Sequence, residues 1–196
     1  DCLWGVLHGI NDAGLAVSLT FGGRREVGEG FGMPLILRYI LETCESSDEA
    51  VAVLHRVPSH MAYNISVLDA AGGHATVYTG PGRPARVVAT PVATNHQETV
   101  TWMQHAHATA TLGRERALLH RLRDCPDSER LIHAFLQAPV YSTAYERGFG
   151  TLYTAVYDPA RRALELRWPN GAWRQTVDAF HEGLRRVRFP DLAASA

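Results

Sequence analysis

The sequence contains no lysine. All 19 of its Lys/Arg positions are arginine, which excludes Schiff-base and other lysine chemistry. Cysteine is scarce: Cys2, Cys44 and Cys125 are the full set, and no two form a CxxC pair. So few thiols do not make a disulfide framework, no structural zinc site is indicated, and a reducing, cytoplasmic setting is expected. No run of about 18 apolar residues occurs, so neither a membrane span nor a membrane partner is expected. The net charge of −1 argues against a nucleic-acid partner. There is no GxSxG elbow, and the glycine run at residues 28–32 lacks the strand–helix setting of a dinucleotide fingerprint. The first residue is Asp1 rather than Met, and no charged-then-apolar leader pattern follows it. This points either to processing ahead of Asp1 or to a longer parent chain.

With 46% hydrophobic and 20% charged residues, the chain has the makings of one globular domain with a full core. Residues 3–10 and 15–21 are apolar and β-favouring, and Asn11, Asp12 and Gly14 supply a turn between them. Residues 34–44 follow a helical period from Pro34 to Cys44, and Ser46, Ser47 and Asp48 offer an N-cap to a second helix ending at Pro58. Residues 62–68 and 75–79 read as a hairpin about Gly72 and Gly73, and residues 86–94 as a short third strand interrupted by Pro91. The stretch 95–113 reads as a polar loop. Helices are expected at 114–123 and 128–137, and a last hairpin at 151–157 and 163–168. Segregated runs of strands and helices predict an α+β fold with mainly antiparallel sheets under helix layers.

Several side chains invite chemistry. Cys44 falls on the apolar helix face and reads as a small buried hydrophobe. Cys125 follows a helix with no evident activating partner, and Cys2 lies near the chain start, where pairing with one of ten histidines is conceivable. His105 and His107 would share one face of a strand, but no third metal ligand stands at a recognisable spacing, so a loop is the simpler reading. His55, His120, His133 and His181 read as solvated helix positions. Asn95 ends a short apolar strand in ATNHQ. It serves either as a turn cap or as a fixed amide donor of the kind an oxyanion hole requires. Asn64, inside a strand, faces either water or a site. Arg114 opens a helix after the Asn95 loop, placed to meet a carboxylate or simply to sit in solvent.

The segments WGVLHGINDAGLAVSLTFGG, GMPLILRYILETC, SSDEAVAVLHRVP, MAYNISVLDAAGGHATVY, ATNHQ and GTLYTAVYDPARRALELRWP occur in that order. The first carries Gly9, Asn11, Gly14, Leu15, Ala16 and Val17 in a Gly-x-Asn-x-x-Gly-Leu-Ala-Val pattern. Together they resemble the acyl-coenzyme A:6-aminopenicillanic acid (isopenicillin N) acyltransferase-like enzymes, and more distantly the choloylglycine hydrolases, to about Trp168. The resemblance implies an N-terminal-nucleophile hydrolase fold, a four-layer αββα sandwich of antiparallel sheets. It also implies a cysteine freed by autocatalytic cleavage, whose own α-amino group acts as base on an amide or thioester substrate. Asn95, beside Thr94, matches the family's oxyanion residue. By the family's strand positions Asn64, His96 and Thr151 are expected to line the substrate site. No cofactor or metal is implied.

In that family the nucleophile strand and an Arg-Asn-x-Asp run precede the Gly-x-Asn segment. Here that segment starts at Gly9 and no such run occurs. Residues 1–196 are therefore expected to be one domain, the C-terminal major part of a family domain lacking its first strands. An upstream segment or a second copy would be its partner. Three readings follow. The nucleophile lies upstream of Asp1; or the chain is an inactive ligand-binding or structural remnant; or Cys2, freed by cleavage after Asp1, is a fallback nucleophile.

Overall fold

The computed structural model describes residues 4–124 and 127–189. Cys2 and Cys125 lie outside the described residues.

A five-stranded antiparallel sheet runs in sequence order. It comprises β1 (His8–Ile10), β2 (Ala16–Phe21), β3 (Tyr63–Leu68), β4 (His74–Thr79) and β5 (Arg86–Val88). Strand alternation gives this sheet two unlike faces. Val17, Ile65, Val67, Ala75 and Val77 point to one side and pack on helices α1 (Met33–Thr43) and α2 (Ser47–Arg56). Their partners there are Met33, Ile36, Leu37 and Ile40 of α1 and Ala50, Val53 and Leu54 of α2, all buried, and each at helical spacing. Cys44, at the C-terminal end of α1, belongs to this core, and burial pushes its thiol pKa up. The expected helices, hairpins and antiparallel sheets are therefore present.

The other face carries Ser18, Thr20, Asn64, Ser66 and Thr76. It turns toward a three-stranded sheet of β8 (Thr154–Asp158), β9 (Ala163–Trp168) and β10 (Gly171–Thr176) in the order β10-β9-β8. The His8 ring meets the rings of Tyr153 and Tyr157 edge-on at 5.5 and 5.9 Å, joining the two sheets. Between β5 and β8 come α3 (Met103–Ala108), α4 (Thr111–Asp124), α5 (Ser128–Ala134) and a two-stranded ribbon, β6 (Thr143–Ala144) and β7 (Phe149–Gly150). Arg167 on β9 grips both carboxylate oxygens of Glu129 on α5, at 2.9 and 3.2 Å. Among the described residues no helix is long and apolar enough to cross a membrane.

Three expectations need correction. The run 95–113 is not all loop: it contains α3 and the start of α4, because Trp102, Ala106 and Thr111 find burial that their polar neighbours hid. The strand expected over 86–94 stops at Val88, since Pro91 cannot donate to a ladder. His181 lies on no helix, and β10, whose residues are mostly polar, escaped notice.

Two polar residues lock the turns to the helix layer. Asn11 accepts the Leu15 N–H at 2.8 Å and donates to the carbonyls of Leu41 and Cys44, at 3.1 and 2.7 Å, capping the orphan end of α1. Asp69 accepts N–H groups from Ser47, Ala71 and Gly73 at 2.8–3.0 Å. Gly73 is required there, because a Cβ would come within 2.4 Å of both Asp69 Oδ2 and Ser47 Oγ. The Ser47 N–H bond, above all, holds the Asp69 carboxyl below its ordinary pKa. A group depressed in the folded state stabilises above its unfolded value and loses that effect as pH falls through the folded one. Replacing Asp69 by Ala should therefore cost about 2–3 kcal/mol at neutral pH. In urea denaturation, the gap from the parent should hold above about pH 4 and close in stronger acid.

Candidate active site

The segment from Thr94 to Gln97 belongs to no strand or helix, yet Thr94, His96 and Gln97 are buried. Such a segment needs partners for its backbone, and strand β3 supplies them. Asn64, fully buried, donates both amide hydrogens: to the Thr94 carbonyl at 2.6 Å and the His96 carbonyl at 2.9 Å. Gln97 donates to the carbonyls of Tyr63 and Thr79 at 3.1 and 3.0 Å and accepts from Arg83 at 2.9 Å. The His96 Nδ1 meets the hydroxyls of Thr94 and Thr111, which bond each other at 2.9 Å, and its Nε2 lies 3.4 Å from Glu115. Gly23, with φ of +68°, lets the chain pass close: a Cβ there would stand 2.4 Å from the Asn95 carbonyl oxygen.

This fixes the backbone on both sides of Asn95. Its side chain is fixed from the opposite direction by Arg114, in the first turn of α4, whose Nη1 donates to Asn95 Oδ1 at 2.9 Å. Arginine can only donate. The amide oxygen therefore faces the guanidinium, and the amide nitrogen, which has no protein partner among the described residues, is the free end. Burial lowers the pKa of Arg114, but an arginine remains cationic at any ordinary pH.

Asn95 and Arg114 line a cavity of about 480 Å³ together with His105, Tyr141, Ser142 and Thr151. A second cavity, also about 480 Å³, lies between the two sheets and shares Arg114, Val140 and Thr151 with the first. Its floor carries His8, Ser18, Thr20, Ser66, Tyr153 and Tyr157; Val92, Leu118, Leu122, Leu131 and Phe135 form its apolar walls. Ala110, between α3 and α4, sits at φ of +49° beside the first cavity, a conformation that strains any residue with a Cβ.

The sequence-predicted residues thus divide. Asn95, Arg114 and Thr151 line the cavities, and the Thr151 hydroxyl is taken up by the Ser142 N–H at 2.9 Å. Asn64 and His96 line neither: they are buried and hold the segment bearing Asn95, Asn64 through both hydrogens of its amide nitrogen and His96 through the Thr94 and Thr111 hydroxyls and Glu115, while Asn64 Oδ1 is buried without a hydrogen-bond partner. Cys2 lies outside the described residues. His105 and His107 sit on a helix, not a strand, so a two-residue step parts them. The His105 ring stacks on Trp102 at 5.0 Å, and burial lowers its pKa. Among the described residues no group of three His, Cys, Asp or Glu side chains could hold a metal ion. Sequence reasoning missed His8, Tyr153 and Tyr157. Their one signal was a polar tip at a strand position for His8 and Tyr157, and just ahead of β8 for Tyr153.

The fold is that of an N-terminal-nucleophile hydrolase. It matches the solved structure of a Caenorhabditis elegans N-acylethanolamine-hydrolyzing acid amidase (NAAA) ortholog with a TM-score of 0.55 at 17% identity, covering 80% of this chain and 70% of that one. The acyl-coenzyme A:6-aminopenicillanic acid acyl-transferase family model matches residues 1–173, and the chain belongs to that family. No curated protein matches it.

Replacing Asn64 by Ala leaves the His96 carbonyl without its donor and the Thr94 carbonyl with only the His96 N–H and the Thr20 hydroxyl, and should cost about 1–3 kcal/mol. Hydrogen exchange should speed up at residues 94–97 before it does in the β3–β4 ladder. Equal loss of protection in both would show that Asn64 supports the sheet rather than the segment.

Proposed function

We propose that this chain forms the oxyanion-holding and substrate-lining part of a linear amide hydrolase or acyltransferase that works through a cysteine acyl-enzyme. The observation that carries the proposal is the Asn95 amide, aimed by the 2.9 Å Arg114 bond so that its N–H₂ end is free at a cavity. A fixed donor at the point where negative charge develops stabilises the transition state without reorganising.

In this reading a cysteine sulfur attacks the substrate carbonyl. A C–S bond forms, the carbonyl oxygen gains charge beside Asn95, and the C–N bond breaks as the amine leaves with a proton delivered through the nucleophile's own α-amino group. Water or an acceptor amine then attacks the thioester, the C–S bond breaks and the thiol is restored. Cys44 is unsuited to this role, since it is buried among the α1 and α2 side chains. By the order of segments in the family, in which the nucleophile precedes the Gly9 segment, the nucleophile is assigned to residues ahead of Asp1, freed by autoproteolysis, with Cys2 as the fallback. The reaction needs neither metal nor cofactor.

Amide hydrolysis and acyl transfer should be measured on the full gene product and on the 196-residue chain. Activity is expected only in the former, and equal rates in both would overturn the upstream assignment. In the active protein Asn95→Ala should lower kcat by about 10²–10³ with little change in KM, whereas Cys2→Ala should leave kcat unchanged. A full gene product inert toward amides and thioesters, but still able to bind them, would instead mark a ligand-binding remnant.

A further inference from the structure

One rung of the five-stranded sheet runs across the floor of the inter-sheet cavity. Register pairs His8 with Ser18, Ser18 with Ser66, and Ser66 with Thr76, so four polar side chains stand abreast on the face away from the helices. Thr76 is satisfied, donating to the Thr90 carbonyl at 2.7 Å. The hydroxyls of Ser18 and Ser66 have no protein partner among the described residues. Above them His8 Nε2 lies 2.7 Å from the Tyr153 hydroxyl, and His8 Nδ1 contacts that of Tyr157.

Burial lowers the His8 pKa and raises those of both tyrosines, so the three are neutral at ordinary pH. A neutral imidazole has one N–H and one lone pair. One tyrosine therefore donates to the ring and the other accepts from it. The accepting phenol keeps its own O–H without a protein acceptor. Three hydroxyls are thus uncommitted around one end of a cavity whose other walls are mainly apolar, the Thr20 and Thr154 hydroxyls there being already given to the Thr94 and Phe135 carbonyls, with Arg114 and Thr151 at the mouth shared with the first cavity. A plain alkyl chain entering here would strip water from all three and return nothing, a cost that sites built for hydrogen bonding impose on analogues lacking the polar group.

From this we infer that the inter-sheet cavity selects an acyl group bearing a neutral oxygen function, a hydroxyl in the simplest case, over the unsubstituted chain. The selecting groups are Ser18, Ser66 and the His8–Tyr153–Tyr157 cluster. The inference rests on the reading of the joined cavities as an amide-processing site: the carbonyl end lies at Asn95 and Arg114, and the acyl chain runs past Val140 and Thr151 into the second cavity.

The test is equilibrium binding, which needs no turnover. Decanoate, 3-hydroxydecanoate and 10-hydroxydecanoate are titrated against the full gene product by calorimetry, and the carboxylate common to all three meets Arg114. At least one hydroxylated probe should bind about tenfold tighter than decanoate, as one retained hydrogen bond predicts. That preference should collapse in Ser18→Ala/Ser66→Ala while decanoate affinity is kept or improved. Tyr153→Phe, a smaller change in the segment just ahead of β8, should also reduce it. Decanoate binding as tightly as both hydroxylated probes overturns the inference, as does a preference that survives the double variant, or failure of every probe to bind. Equal binding alongside Asn95-dependent amide turnover sinks this inference alone. A hydroxyl preference without any turnover sinks the amide-processing reading and leaves the ligand chemistry standing.

Discussion

One buried side chain, Asn64, holds the site together. The residues around Asn95 form no ladder or helix of their own, so their shape depends on who accepts and donates to them. Asn64 reaches from the middle of a five-stranded sheet to the carbonyls on either side of Asn95. Gln97 repeats the device one residue beyond His96, tying the same segment to Tyr63 and Thr79. Because the donors sit on a rigid sheet, the loop inherits the sheet's precision, and Arg114 needs only to set the orientation of the Asn95 amide. Without the clamp, the arginine contact would orient a side chain whose backbone was free to drift.

The clamp is possible because the sheet has one apolar and one polar face. Leu37, Ile40, Leu54, Ile65, Val67 and Val77 belong to the helix-facing core, whose burial supplies hydrophobic stabilisation. That leaves the opposite face free to hold Ser18, Asn64, Ser66 and Thr76 without sacrificing the core. The second sheet approaches this face through the His8, Tyr153 and Tyr157 rings, aromatic bodies with polar tips, so the gap between sheets is neither dry nor collapsed. The second cavity occupies that gap over a neutral polar floor and meets the first, which Asn95 lines, at Arg114, Val140 and Thr151.

Much of this was legible in the sequence. Pro34 and the spacing of Ile36, Leu37 and Ile40 announced α1, and Ser46 announced the start of α2. The Asn11–Gly14 and Gly72–Gly73 turns marked their hairpins, and ATNHQ pointed to Asn95. Other features were hidden. α3 is too short and too polar for its period to show, and β10 has few apolar residues to alternate. Asn64 and His96 were expected to face a ligand. Their burial came instead from partners 30 and 15 residues away, Thr94 and Thr111, which no local pattern pairs with them.

The sequence by itself determined which residues are apolar at which period, and so the helices, the strands and the family to which the chain belongs. Those properties are local, written in the order of neighbouring residues. The tertiary structure alone decided that Asn64 positions rather than binds, that Arg114 turns the Asn95 amide outward, and that His8 meets two tyrosines some 145–149 residues away. Hydrogen bonds form between groups that folding brings within reach, and reach across that many residues is set by sheet register and packing, not by spacing along the chain.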